Sequence, residues 1–169
     1  YNDLIANCGF YAVALLIGGD YEFYHTTIAN YWGNYSSQAR STSSLILSNV
    51  LVFEQADGSK VSYTGDLENA VFGNSIIYGN NLDEIKLGNN NENVFNYLFD
   101  HCVIQVSDTF NISNKDHFKN VWKGEEFDPK FVDPFEDYIY ALDTLSPAKD
   151  IGSLEYSKLF PMDILNKDR

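Results

Sequence analysis

Short apolar runs bounded by Asn, Gly, Asp and Ser recur from one end of the chain to the other, and the rhythm of an amphipathic helix is almost absent. This punctuation predicts short β-strands joined by tight turns. Five segments align without gaps: IANCGF (5–10), FYHTTI (23–28), LSNVLV (47–52), FGNSII (72–77) and FDHCVI (99–104). Their third position reads Asn7, His25, Asn49, Asn74 and His101. Two residues earlier stand Ile5, Phe23, Leu47, Phe72 and Phe99, and three residues later stand Phe10, Ile28, Val52, Ile77 and Ile104. The position just after the third is small or modest: Cys8, Thr26, Val50, Ser75 and Cys102. Copies follow one another at steps of 18 to 27 residues, close to the roughly 20–45 residues of one solenoid repeat.

The phase of the apolar positions carries a further inference. Side chains alternate across a strand, so residues five apart cannot both face inward unless the chain bends between them. A bend calls for a left-handed backbone, which Asn and His tolerate better than most residues. The third position is therefore expected to be a corner whose polar side chains stack from one repeat to the next. EIKL (84–87) and KVSYT (60–64) read as further strands of the same repeats. Segments 34–44, 54–60 and 88–93 read as projecting loops. After Val106 the repeat is expected to stop, with an irregular polar insertion over 107–128 and a last strand in DYIYAL (137–142). Fold class is thus all-β, with repeats over 1–106, and the insertion, last strands and a C-terminal cap over 107–169, in one domain.

Composition narrows the function. The 169 residues are 44% hydrophobic, enough for one continuous core. The chain starts at Tyr1 without a signal-like segment, so it reads as a piece of a larger protein whose targeting signal or anchor lies elsewhere. No apolar run approaches the roughly 20 residues of a membrane span. A net charge of −13 argues against a nucleic-acid partner. Only Arg40 and Arg169 could clamp an anion in bidentate fashion, which favours neutral ligands. Cys8 and Cys102 lie far apart and form no ligand cluster, and no nucleotide, zinc, calcium or hydrolase fingerprint occurs, so no cofactor or metal is expected.

One ordered set of motifs goes further: the repeated corners, NSIIYGNNLDEIKL (74–87), FVDP (131–134), a strand, SPAKDIG (146–152) and DILNKDR (163–169). Together they resemble the right-handed parallel β-helix, pectin-lyase-like surface proteins of Bacteroides-type bacteria, some with a choice-of-anchor domain. Lys149 departs from that family's usual SPAIDAG ending, and residues 166–168 are a variant of its final motif. The resemblance implies a right-handed parallel β-helix in a secreted or surface-anchored protein, in the setting of an accessory lipoprotein of an outer-membrane nutrient-uptake assembly. In SPAKDIG, Pro147 interrupts strand pairing, Asp150 suits an Asx turn and Gly152 permits a tight or left-handed turn, so the motif is expected to close the exposed end of the stack.

Candidate chemistry is sparse. Glycoside hydrolysis needs two carboxylates across the scissile bond, and Asp83 with Glu84, Glu125 with Glu126, and Asp133 with Glu136 or Asp137 are the available pairs. Lys60, Lys86 and Arg40, the basic groups a lyase would need, are scattered. His117 alone among the histidines lacks a corner role and is expected at the surface. Aromatic residues are dense in 21–35, where Tyr21, Tyr24, Tyr31, Trp32 and Tyr35 offer faces for sugar rings, and Trp122 lies in the later insertion. Tyr24, Tyr31 and Trp32 are the candidate ligand-binding residues. The leading expectation is a non-enzymatic solenoid binding a glycan, a peptide or a partner protein such as an outer-membrane protein. Its rivals are a polysaccharide lyase or glycoside hydrolase and a structural stalk, and the fold by itself does not choose among them.

Overall fold

A computed structural model describes residues 1–33 and 39–169. Three rows of parallel strands stack in chain order. The first row is β3 (Gly19–Tyr24), β8 (Leu67–Gly73), the first half of β11 (Leu98–Ile104) and β12 (Phe118–Lys123). The second row is β1 (Leu4–Ala6), β4 (Thr27–Asn30), β9 (Ile76–Gly79) and the second half of β11, which pairs with the end of β12. A separate three-stranded sheet holds β2 (Val13–Leu16), β5 (Leu45–Ser48) and β10 (Ile85–Gly88). Two antiparallel pairs complete the strands: β6 (Val50–Glu54) with β7 (Lys60–Thr64), and β13 (Phe131–Asp133) with β14 (Ile139–Leu142). One short helix, α1 (Leu154–Leu159), follows.

In-register parallel pairing places like side chains above one another, and the core is built from these ladders. Phe23, Phe72, Phe99 and Phe118 stack with ring centroids 4.8, 4.9 and 5.6 Å apart and nearly parallel planes. Ile5, Ile28, Ile77 and Ile104 form a second column. Leu15, Leu47 and Leu87 form a third on the other sheet. Phe72, Phe99, Ile28, Leu47, Ile77 and Ile104 are fully buried. Each large buried side chain contributes roughly 1.5–3 kcal/mol.

The bend expected between the first two rows is present. Asn2, His25, Asn74, His101 and Asn120 all occupy the left-handed region, with φ of 59°, 51°, 47°, 53° and 47°. Backbone bonds continue through the corners: the N–H groups of Asn2, His25 and Asn74 donate to the carbonyls of Tyr24, Gly73 and Asp100 at 3.0–3.1 Å.

The copies at 72–77 and 99–104 therefore align with 23–28 as expected, while two others shift. Ile5 pairs with Ile28, so Asn2 rather than Asn7 is the first corner of this column; Asn7, itself left-handed at φ 51°, ends β1 at a different turn. Leu47 pairs with Leu15 and Leu87 on the other sheet, and Asn49 is a buried residue at the end of β5, with its amide bonded to Asn89, the carbonyls of Asn93 and Val94, and the N–H of Asn90. Phe10 and Val52, expected inward, are 66% and 51% exposed. An Ile or Leu satisfies either inward position, so side-chain type alone did not fix the register.

The repeat also continues past Val106. FKNVWK (118–123) is β12, paired in parallel with β11, and carries the same Phe, corner Asn and small residue as its neighbours. KVSYT is a strand, but it folds back on β6 as a projecting hairpin rather than joining the stack. IKL of EIKL lies in β10 as expected, and the loops expected over 54–60 and 88–93 are turns over 55–59 and 89–93, with Glu54, Lys60 and Gly88 in the flanking strands.

Candidate functional site

The outer side of the corner column is crossed by the C-terminal segment. After β14, Asp143 accepts from the N–H of Leu145, and the Ser146 hydroxyl accepts from Ala148, giving two successive local turns. Asp150 takes the left-handed conformation itself, at φ 61°. Gly152 serves a different need from a left-handed turn: a Cβ there would lie 3.1 Å from the Asn74 side-chain amide. SPAKDIG thus lies along the flank of the column instead of closing an end of the stack.

The segment then runs back toward the N-terminus. Ser153 caps α1 by accepting from the N–H of Glu155, and its own backbone pairs with Asn74: its N–H donates to Oδ1 at 2.6 Å and its carbonyl accepts from Nδ2 at 2.9 Å. The Tyr156 hydroxyl donates to Asp100 Oδ2 at 3.0 Å. Phe160 packs against Tyr1, Tyr24 and His25, with centroids 4.4, 5.3 and 6.2 Å away. Asn2 donates to the Met162 carbonyl at 2.9 Å and accepts from Arg169. The strap therefore touches the column at Asn2, His25, Asn74 and Asp100, although α1 has no buried residue.

Between strap and column lies an open cleft of about 540 Å³. It is lined from the column by His25, Asn74, Ser75 and His101, from the later elements by Phe131, Tyr140, Leu142, Ile151 and Leu154, and by the charged Asp150, Asp163, Asp168 and Arg169. Nδ1 of His101 lies 2.7 Å from Asp100 Oδ1, and Tyr156 bonds the other oxygen of that carboxylate; with Nδ1–H donating to Asp100, Nε2 is the nitrogen left to accept. His25 sits deeper, with its Nε2 buried and unpartnered. Burial pulls its imidazole below the ordinary value, a backbone bond with Tyr156 works the other way, and Arg169 and the terminal amine add to the lowering. Backbone donors from Lys167 and Leu165 hold the Asp163 carboxyl below the usual carboxylate range.

The aromatic candidates do not share one exposed face. Tyr24 lies against Tyr156 and Phe160 in the strap, and desolvation, with Glu22 nearby, raises its phenol. Tyr31 packs edge-on against Phe131 and Phe135, and its phenol is raised first by burial and then by Asp128. Trp32 alone is exposed, at 43%, beside Gly9. Tyr35 lies outside the described residues. Trp122, in β12, reaches within 6.2 Å of the His101 ring.

The carboxylate pairs are not poised across a groove. Glu84 is fully buried: it accepts from Arg40 at 2.6 Å, from the Ser44 N–H and hydroxyl, and from the Asn81 N–H. Asp83 accepts from the Ser107 N–H, and Asp133 from the N–H groups of Phe135 and Glu136. Glu125 and Glu126 are exposed in a single 3-10 turn. His117 stacks on Tyr97 at 4.1 Å and bonds its carbonyl, a half-buried packing role rather than a surface one. Both cysteines are free; burial pushes the Cys102 thiol up to about 12. No group of three or more His, Cys, Asp or Glu among the described residues is arranged to hold a metal, and no described helix is long and apolar enough to cross a membrane.

Sequence reasoning missed the cleft because Phe131 and the later residues that line it are more than a hundred positions away from His25. The usable signal was the column of polar corners, whose side chains need partners. Comparison with family models, curated proteins and solved structures gives no match. Fold and site together define an all-β protein with a curled parallel sheet flanked by a cleft of mixed polar and apolar lining.

Proposed function

We propose that the stacked passes form a right-handed parallel β-helix whose role is binding, with a glycan, peptide or partner segment held in the cleft between corner column and strap. The observation that carries this reading is the cleft itself. Its volume suits a ligand, its walls are aromatic and aliphatic, and His101 presents a polar ring on one side, beside Asn74, whose amide is bonded to Ser153. A binding role is favoured over hydrolysis because Glu84 and Asp133 are committed to internal bonds and Asp100 orients a histidine instead of facing a second carboxylate. The secreted or cell-surface setting, with an outer-membrane protein as neighbour, enters the proposal from the sequence resemblance.

The test is a titration of the full chain with a panel of neutral oligosaccharides and short peptides, followed by amide hydrogen exchange. A ligand that binds should protect 74–76, 101–103 and 140–154, and Tyr140→Ala should weaken it at least tenfold. Binding that protects only the β6–β7 hairpin, or hydrolysis of a panel member, would overturn the reading.

A further inference from the structure

The strap shows what the corner column recognises. At Asn74 one side-chain amide pairs with both polar groups of a single residue's backbone, the N–H and carbonyl of Ser153. At Asn2 the amide again takes a main-chain carbonyl, that of Met162. These bonds use the peptide group, so they read an extended backbone with little regard to sequence. The column does not end where the strap leaves it. His101 lines the open cleft, and the next corner, Asn120, is exposed with no side-chain hydrogen bond among the described residues. Asn120 shares the left-handed backbone of Asn74, with φ 47° at both.

We propose that the His101–Asn120 end of this column, with the adjoining cleft, binds the main chain of an extended, cationic peptide segment from a partner protein. The inference rests on the binding reading above and names its ligand. Asn120 takes the N–H and carbonyl of one peptide residue as Asn74 takes those of Ser153, and His101 Nε2 accepts a neighbouring N–H. Charge selects the peptide's side chains: Asp150, Asp163 and Asp168 line the cleft against the one guanidinium of Arg169. Glu125, Glu126 and Asp128 follow β12 after Gly124 and outnumber Lys119 beside Asn120, in a chain of net charge −13. Lys or Arg side chains alternating along the peptide therefore meet carboxylates while its backbone meets the Asn120 amide and the His101 ring.

The experiment uses the ¹⁵N-labelled full chain and three probes: a blocked eight-residue Ser-Lys alternating peptide, its Ser-Glu counterpart, and neutral xylohexaose. The Ser-Lys peptide should shift the Asn120 side-chain amide resonances and bind at least tenfold more tightly than the Ser-Glu peptide. Asn120→Gly, which keeps a residue suited to positive φ, should weaken it at least tenfold. Equal binding of both peptides, or a Ser-Lys affinity unmoved by Asn120→Gly, overturns the peptide inference. Xylohexaose shifting His101 and Tyr140 while neither peptide does so also overturns it and leaves the binding reading intact. Silence of every cleft resonance with all three probes overturns both.

Discussion

The pairing of Asn74 with Ser153 should be measurable separately from the backbone demand of the corner, because Asn120 supplies a matched control. Both residues sit at φ 47°, but only Asn74 bonds the strap, at 2.6 and 2.9 Å. Replacing either by Gly changes the same backbone terms: relief of the left-handed conformation and added freedom in the unfolded chain, about 0.4–1 kcal/mol each and opposite in sign. Asn120→Gly is therefore expected within about 0.5 kcal/mol of the parent chain. Asn74→Gly additionally loses two partly buried hydrogen bonds, together about 1–3 kcal/mol at 0.5–1.5 kcal/mol each. Subtracting the two cancels the backbone terms and leaves that range. Urea unfolding gives the free energies, and hydrogen exchange shows whether 150–162 opens first. A difference below about 0.3 kcal/mol, or unchanged exchange in that segment, would refute the claim that the corner column holds the strap.

Other expectations concern the buried and titrating groups. Glu84→Ala leaves the Arg40 guanidinium, whose side chain is fully buried, without its charge partner, and should cost about 3–5 kcal/mol by urea unfolding; a loss under 1 kcal/mol would mean that water reaches the pair. His25 has a lowered folded-state pKa, so below about 6.5 the unfolded chain binds a proton that the folded chain refuses. Stability from this group is complete above that value and falls as pH drops toward the depressed folded value, with a slope of at most about 1.4 kcal/mol per pH unit. His25→Asn keeps a residue suited to the corner and should remove this slope, measured as denaturation midpoints at pH 7.5 and 5.5. The lowered carboxyls of Asp133 and Asp163 act in a separate window, losing their contribution as pH falls below about 4. Cys102, buried with a raised thiol pKa, should resist a maleimide until the chain unfolds, and mass spectrometry of the native protein should find modification at Cys8 alone.

The sequence by itself determined the local code. A large apolar residue, a polar corner, a small residue and a second apolar residue follow one another in fixed order, because inward alternation and a left-handed bend are short-range demands of the backbone. That code located His25, Asn74 and His101 as corners and Phe23, Phe72 and Phe99 as core. It could not decide which segments shared a column. Ile5 fits two inward positions equally well, Asn49 suits a buried hydrogen-bonding turn as readily as a left-handed one, and Lys123 in place of an isoleucine concealed the copy at 118–123. Those choices rest on parallel pairing between residues about 20–50 apart, which satisfies backbone groups that no single segment can satisfy alone. Tertiary structure alone also decided the rest: the buried Arg40–Glu84 pair, the path of 143–169 along the flank, and the cleft beneath it. Each arises where side chains remote in sequence complete one another's hydrogen bonds, and neither residue type nor spacing along the chain records that meeting.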